Sequence, residues 1–274
     1  LRALAEAGLG DLPGSIGARP VRRALVRWRG RIQATGVPGM VIVSRRALDH
    51  ALAEAARRAG ATVLEGFPAS WDADGAVRIG ETPVEARTVV IAAGLRSALR
   101  RDGARVETDA WIGLGCSDAT TPRPVEPGEL LMCLGRHGYA GCVVTEDGAA
   151  NWAAAVDPAF VRRHGSAADA VRAVCREAGL DADPPEDGWA GTPALTRAAP
   201  AQTGRVYRVG DAAGYVEPIT GEGMSWALLG AASLAGVLDR ALATDRHDGA
   251  WTEAHAALLR RRRARCRVVA RGLR

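Results

Sequence analysis

The chain has 274 residues, with 36 basic against 31 acidic side chains, a net charge of +5 and 47% apolar residues; this is the composition of a globular protein, excludes a low-hydrophobicity disordered chain and leaves room for one large or two modest folded domains. Every basic residue is arginine, which reads as coding bias and not as a nucleic-acid surface, and no apolar run of about 18 residues marks a membrane span. The five cysteines, Cys116, Cys133, Cys142, Cys175 and Cys266, form no CxxC pair or Cys/His cluster, which argues against zinc or a disulfide framework and makes a reducing, cytoplasmic setting the default.

The chain begins at Leu1 in a helical pattern, LRALAEAGL, and Gly10 to Pro20 is a Gly/Pro-rich loop. Val21 to Trp28 and Gly39 to Val43 read as strands. Ser44 is the N-cap of a helix whose apolar positions Ala47, Leu48, Ala51, Leu52, Ala55 and Ala59 keep helical spacing, and Gly60 closes it. Short strands are predicted at Ala61 to Leu64, Ala76 to Ile79, Pro83 to Ala86 and Arg87 to Ala92, the last ending at Gly94. From Arg105 to Asp157 the strands lengthen and alternate: Trp111 to Gly115, Glu129 to Gly135, Gly138 to Thr145 and Asn151 to Val156, with Glu146-Asp147-Gly148 as a hairpin turn. Ser166 to Gly179 is an amphipathic helix and Asp181 to Gly188 an acidic loop. The segment Trp251 to Arg274 is a helix dense in arginine from Arg260 to Arg267, read as a solvated basic face with a weak attraction to anionic membrane surfaces.

Chemistry concentrates between these last two helices. The strand Val206 to Val209 runs into Gly210-Asp211 and Ala212-Ala213; a loop through Pro218 ends in Gly221-Glu222-Gly223; and an apolar helix starts at Met224. Asp211 at the strand end can accept hydrogen bonds from sugar-like hydroxyls, and the two alanines keep bulk away. Gly221 and Gly223 let backbone N–H groups approach a flat ring, and the helix start carries about half a positive charge to face an electron-rich one.

GDAAGYVEPITGEGM resembles the second FAD-binding motif of the flavoprotein superfamily that contains para-hydroxybenzoate hydroxylase and the geranylgeranyl reductases. The resemblance implies that Asp211 binds the ribityl chain and that Gly210, Ala212, Pro218, Gly221, Glu222, Gly223 and Met224 line the flavin. The run SRRALDHALAEAARRAGATV is similar to a helix start of the same superfamily that sets an Arg, here Arg45, beside FAD, with Leu48 and Asp49 matching. The run Arg87 to Ser97 is similar to a strand and turn in which Gly94 and Ser97 match, while Ala93 stands where the hydroxylases carry an Asp linked to FAD and NADPH; NAD(P)H is the electron donor the resemblance offers. It also implies an α/β (α+β) architecture, a Rossmann-like FAD layer of glutathione-reductase type with an antiparallel-sheet substrate domain, divided as 1–104, 105–204 and 205–274. The sheet would wall the substrate pocket, with Tyr139 as its candidate residue.

The superfamily's opening strand, GxGxxG turn and helix are missing, since Gly8-Leu-Gly10-Asp-Leu-Pro-Gly14 has other spacing and follows a helical pattern. The chain is therefore expected to be an N-terminally clipped piece of a longer protein. The reductase pattern Tyr-x-Trp-x-Phe-Pro and the halogenase pattern Trp-x-Trp-x-Ile-Pro are both absent, which tilts the reading toward an FAD-dependent monooxygenase over a double-bond reductase, acting on a small, largely apolar substrate. The alternative is a non-catalytic remnant that no longer holds FAD.

Overall fold

A computed structural model describes residues 2–71, 76–95, 105–106, 110–215, 219 and 221–272. In chain order the elements are α1 (Arg2–Glu6), α2 (Leu12–Ser15), β1 (Arg19–Pro20), β2 (Arg23–Trp28), β3 (Arg31–Thr35), β4 (Val41–Ile42), α3 (Arg45–Arg58), β5 (Ala69–Trp71), β6 (Val77–Ile79), β7 (Thr82–Val84), β8 (Val89–Ile91) and β9 (Arg105–Val106). There follow β10 (Ile112–Asp118), β11 (Glu129–Gly135), β12 (Gly138–Val144), β13 (Ala150–Val156), α4 (Pro158–His164), α5 (Ala167–Glu177), β14 (Ala190–Ala194), β15 (Arg197–Ala198), β16 (Gln202–Thr203), β17 (Val206–Arg208), a 3-10 turn (Gly210–Ala213), β18 (Gly214–Tyr215), α6 (Gly223–Thr244) and α7 (Ala250–Gly272). They form two compact units, one of Leu1–Leu52, Thr108–Leu195 and Val268–Arg274, the other of Ala53–Glu107 and Thr196–Arg267.

Unit one is built on a seven-stranded sheet in the order β14-β10-β13-β12-β11-β2-β3. All its pairs are antiparallel except β11 with β2. Because side chains alternate across a strand, register assigns them to faces in rows. One row runs Cys116, Trp152, Cys142, Leu131, Leu25, and the next Leu114, Ala154, Ala140, Cys133, Arg27. These rows, apart from Cys116 and Arg27, belong to or pack against the core cluster that also holds Val171, Val174 and Cys175 of α5. The helix is started by Ser166, whose hydroxyl accepts from the Asp169 N–H at 3.0 Å, and its apolar stripe lies on the sheet as the spacing predicts. Close strand approach needs glycine at Gly138, where φ is +154° and a Cβ would sit 2.4 Å from the Ala155 carbonyl oxygen.

Arg31–Thr35, where the sequence marks no element, is the edge strand β3, joined to β2 by a turn at Arg29 and Gly30, both with positive φ. All five of its residues are exposed, so no alternation marks it. Residues 61–64, expected as a strand, form none and are mostly exposed, and among the described residues no strand pairs with them; β propensity makes no strand without a neighbour.

Unit two holds a short sheet in the order β16-β17-β8, with β17 parallel to β8, and two further small sheets. Tyr207, Val209, Ala213, Leu234, Val237 and Trp251 make its main core, closing β17 against α6 and α7. The Trp251 indole N–H donates to the Arg208 carbonyl at 2.8 Å, and the Tyr207 hydroxyl pairs with His247 Nδ1 at 2.8 Å. Helix α6 is, by length and a mean hydropathy of 1.3, apolar enough to cross a membrane. No unbroken apolar run of that length marks it in the sequence, since Ser225, Ser233, Asp239 and Arg240 interrupt it; Gly230, Leu234, Val237 and Ala241 are the residues it buries in this unit.

Candidate functional site

The Gly210 to Met224 segment lies within unit two, and its described part has the predicted course. Strand β17 is buried throughout, and Val209 N donates to the Ile91 carbonyl, extending the parallel pairing to the end of β8. Gly210 then turns at φ +61°, where a Cβ would meet the Ala227 Cβ at 3.2 Å. Glycine is required twice over, once for the left-handed backbone and once for the close packing of α6. Gly230 repeats the device one turn on, its Cβ position 3.1 Å from a Val209 methyl. Ala212 and Ala213 are buried while Asp211 stays half-buried in the first turn.

The other end of the loop is bare. Gly221 is exposed at φ +66°, a Cβ on Gly223 would meet nothing within 4 Å, and Met224 is 40% exposed. Glu222 is the N-cap residue of α6 yet makes no side-chain cap; its carboxylate is held by Arg265 of α7 at 3.0 Å. The first-turn N–H groups of a 22-residue helix therefore meet glycine and no capping carboxylate, a donor set that suits the electron-rich edge of a flat ring. These residues fit a flavin. Pro218 and, in the strand-turn run, Ser97 lie outside the described residues; Ala93 and Gly94 follow β8, Gly94 with φ +63°.

Sequence reasoning missed the part α7 plays. Its arginines were read as a solvated face, but Arg265 holds Glu222 and the Arg263 guanidinium reaches the Gly214 carbonyl at 3.5 Å. The buried stripe Trp251, His255, Leu259, Cys266 is the signal that orients the helix, and it was hidden by the run of like charges. A cavity of about 230 Å³ lined by Tyr207, Arg240, Thr244 and Arg246 lies at the C-terminal end of α6, roughly 30 Å along the helix from the glycines.

The remaining predicted residues lie in unit one. Arg45, 68% exposed, pairs with Asp49 one turn on at 2.9 Å. The helix start beside it is filled from within the protein. Ser44 Oγ accepts from the Ala47 N–H, and the Glu146 carboxylate accepts from Ser44 N at 2.7 Å and from Ser44 Oγ at 2.5 Å. Burial works against the charge on Glu146, but the Ser44 hydroxyl and N–H outweigh it and hold the carboxyl below its ordinary range. Tyr139 is 5% exposed, with its ring centroid 6.1 Å from that of Trp111. It stands on the sheet face opposite the core, in the row Gly113, Ala155, Tyr139, Leu134, Trp28. The neighbouring row, Gly115, Ala153, Gly141, Met132, is nearly free of side chains in its middle, and Ala153 is exposed. Among the described residues no group of His, Cys, Asp and Glu could hold a metal.

No protein-family model matches the sequence, and no curated protein matches it. Solved structures do match. The flavin-dependent halogenase CmlS superposes with a TM-score of 0.76 at 19% identity, over 96% of this chain and 54% of its own. The peptidyl tryptophan dihydroxylase QhpG gives 0.71 at 22% identity, over 99% of this chain and 64% of its own. The probable FAD-dependent monooxygenase PqsL of Pseudomonas aeruginosa gives 0.66 at 18% identity, over 93% and 78%. The chain has the fold of FAD-dependent monooxygenases and halogenases. This flavoenzyme fold is the α/β architecture expected from the sequence, with a Rossmann-like layer.

Proposed function

We propose that this protein is an FAD-dependent oxidoreductase, a monooxygenase acting on a small, largely apolar organic substrate. The observation that carries the reading is the geometry of unit two, in which a buried parallel strand ends in the Gly210-Asp211 turn and α6 begins uncapped behind Gly221 and Gly223. Asp211 would take the sugar-alcohol hydroxyls of the cofactor. Gly221, Gly223 and the first N–H groups of α6 would take its ring edge, with Arg265 drawing the Glu222 carboxylate aside. Bound FAD supplies the redox chemistry toward oxygen, with NAD(P)H as the proposed source of electrons. The protein contributes binding, orientation and exclusion of water.

The apolar character assigned to the substrate is supported by the face of the unit-one sheet opposite the core, where Gly115, Ala153 and Gly141 lie side by side next to Tyr139. No acid or base is assigned to the reaction. The test is an FAD titration followed by flavin absorbance and fluorescence. Saturable binding that Asp211→Ala weakens at least about tenfold, the loss of one or two hydrogen bonds to a charged acceptor, supports the reading. A protein that binds no FAD, or binds it equally well as Asp211→Ala, overturns it.

A further inference from the structure

The unit-one sheet ends differently on its two sides. The edge strand β14 carries Pro193, and its pairing with β10 is broken by a shift of register between Ile112 and Leu114. Proline and a bulge are ordinary means by which an edge refuses a further strand. Strand β3 has neither. Its register with β2 runs unbroken from Trp28 and Arg31 to Ala24 and Thr35, all five of its residues are exposed, and its one charge, Arg31, sits at the turn end. Among the described residues nothing pairs with its outer side.

The turn decides which backbone groups face outward. Arg29 and Gly30, both with positive φ, form a two-residue hairpin loop, which makes the flanking Trp28 and Arg31 a hydrogen-bonded pair. Hydrogen-bonded and open pairs alternate along an antiparallel ladder, so Arg31, Gln33 and Thr35 turn their N–H and C=O groups toward β2, and Ile32 and Ala34 turn theirs away from it. The side chains of those two residues extend the core-face rows, Ile32 beyond Cys133 and Arg27, Ala34 beyond Leu131 and Leu25. Ile32 ends its row 54% exposed.

We propose that β3 pairs with β3 of a second copy of this chain, antiparallel about a two-fold axis through Gln33, and joins two seven-stranded sheets into one. In this register Ile32 faces the second copy's Ala34 and Ala34 its Ile32, and each pair exchanges two hydrogen bonds, so every outward N–H and C=O of both strands is used. The same pairing sets the exposed Ile32 side chain against an alanine in place of water. Arg31 faces Thr35, so no like charges meet, and Gln33 faces its own counterpart, an amide that both donates and accepts. A shift of two residues either way sets Ala34 or Ile32 against a glycine beyond the strand, Gly30 or Gly36. The strand is thus complementary to itself, as an isologous two-fold interface requires.

The test is sedimentation velocity of the whole chain over a wide range of concentration, where a reversible dimer is expected. Ala34→Pro removes an outward N–H from each strand and leaves the β2 ladder, which does not use it; with two hydrogen bonds gone, the dissociation constant of the dimer should rise at least about tenfold. Gln33→Cys locates the axis independently. The five native cysteines are buried, and the Cα atoms of an open antiparallel pair stand about 4.5 Å apart, within disulfide reach, so mild oxidation should link the two chains. Arg31→Cys should not link, because its counterpart lies four residues along the strand, roughly 14 Å away. Circular dichroism checks the fold of each variant, and the two thiol variants decide if Ala34→Pro does not fold. A chain that stays monomeric at every concentration, a dimer that folded Ala34→Pro leaves at full strength, or a link through Arg31→Cys and not through Gln33→Cys would overturn the proposal.

Discussion

His255 shows how a single buried side chain sets a condition on the whole unit. It is 4% exposed, in ring contact with Trp251 at 5.1 Å, and burial followed by the Arg263 charge lowers its pKa from 6.5 to about 4. Below pH 6.5 the unfolded chain takes up a proton that the folded one refuses, so stability falls as pH drops from about 6.5 toward about 4. The carboxylates held below their ordinary range, such as Asp118 at about 2, lose their contribution only in more acid solution. Urea denaturation at pH 7 and pH 5 should therefore show a loss of stability that His255→Phe largely removes; an equal loss in the variant would exclude His255 as its source.

At the scale of elements, the start of α3 combines a local cap with a long-range one. Ser44 caps the helix by its own hydroxyl, and the Glu146 carboxylate, from the turn between β12 and β13, accepts from the same serine twice. Ser44→Ala removes the cap and one partner of Glu146 and should cost about 1 to 2 kcal/mol by chemical denaturation; a change below about 0.3 kcal/mol would show that the exposed helix start does not need it. Only the local half was legible in the sequence, since Ser44 precedes a helical pattern whereas Glu146 is 102 positions away. The same division holds elsewhere. Strands β11 and β13 and helix α5 were read to within a residue or two, because their burial alternates or repeats at helical spacing. The exposed edge strand β3 was not, since its partner makes it a strand. In the candidate segment the turn at Gly210 and the loop end at Gly221 were legible, because both take a left-handed backbone that favours glycine. The Arg265 contact to Glu222 was not, because nothing in a run of arginines says which one turns inward.

At the scale of the molecule, each unit is assembled from separated stretches of chain. Residues 108–195 contain β10 to β14, five of the seven strands of the unit-one sheet, but β2 and β3 come from the first stretch. Expressed alone, residues 108–195 would leave the edge of β11 unpaired beside Leu130, Leu131, Met132 and Leu134. Such an edge recruits other strands, so the fragment should run as oligomers or precipitate in size-exclusion chromatography. A stable monomer would show that β11 does not need β2.

The parallel pairing of β2 with β11 also sets a timetable for the chain at the ribosome. The Arg23 guanidinium and the Glu129 carboxylate that it meets are 106 positions apart, and at ordinary rates of synthesis the second follows the first by roughly 5 to 20 s. During that interval the β2–β3 hairpin, complete within its own short stretch, waits with an open edge for a strand not yet made. The side chains of β3, from Arg31 to Thr35, are exposed in the finished protein, so the apolar surface that the hairpin must later bury lies on β2. The open edge of the hairpin is therefore covered only when that seam closes.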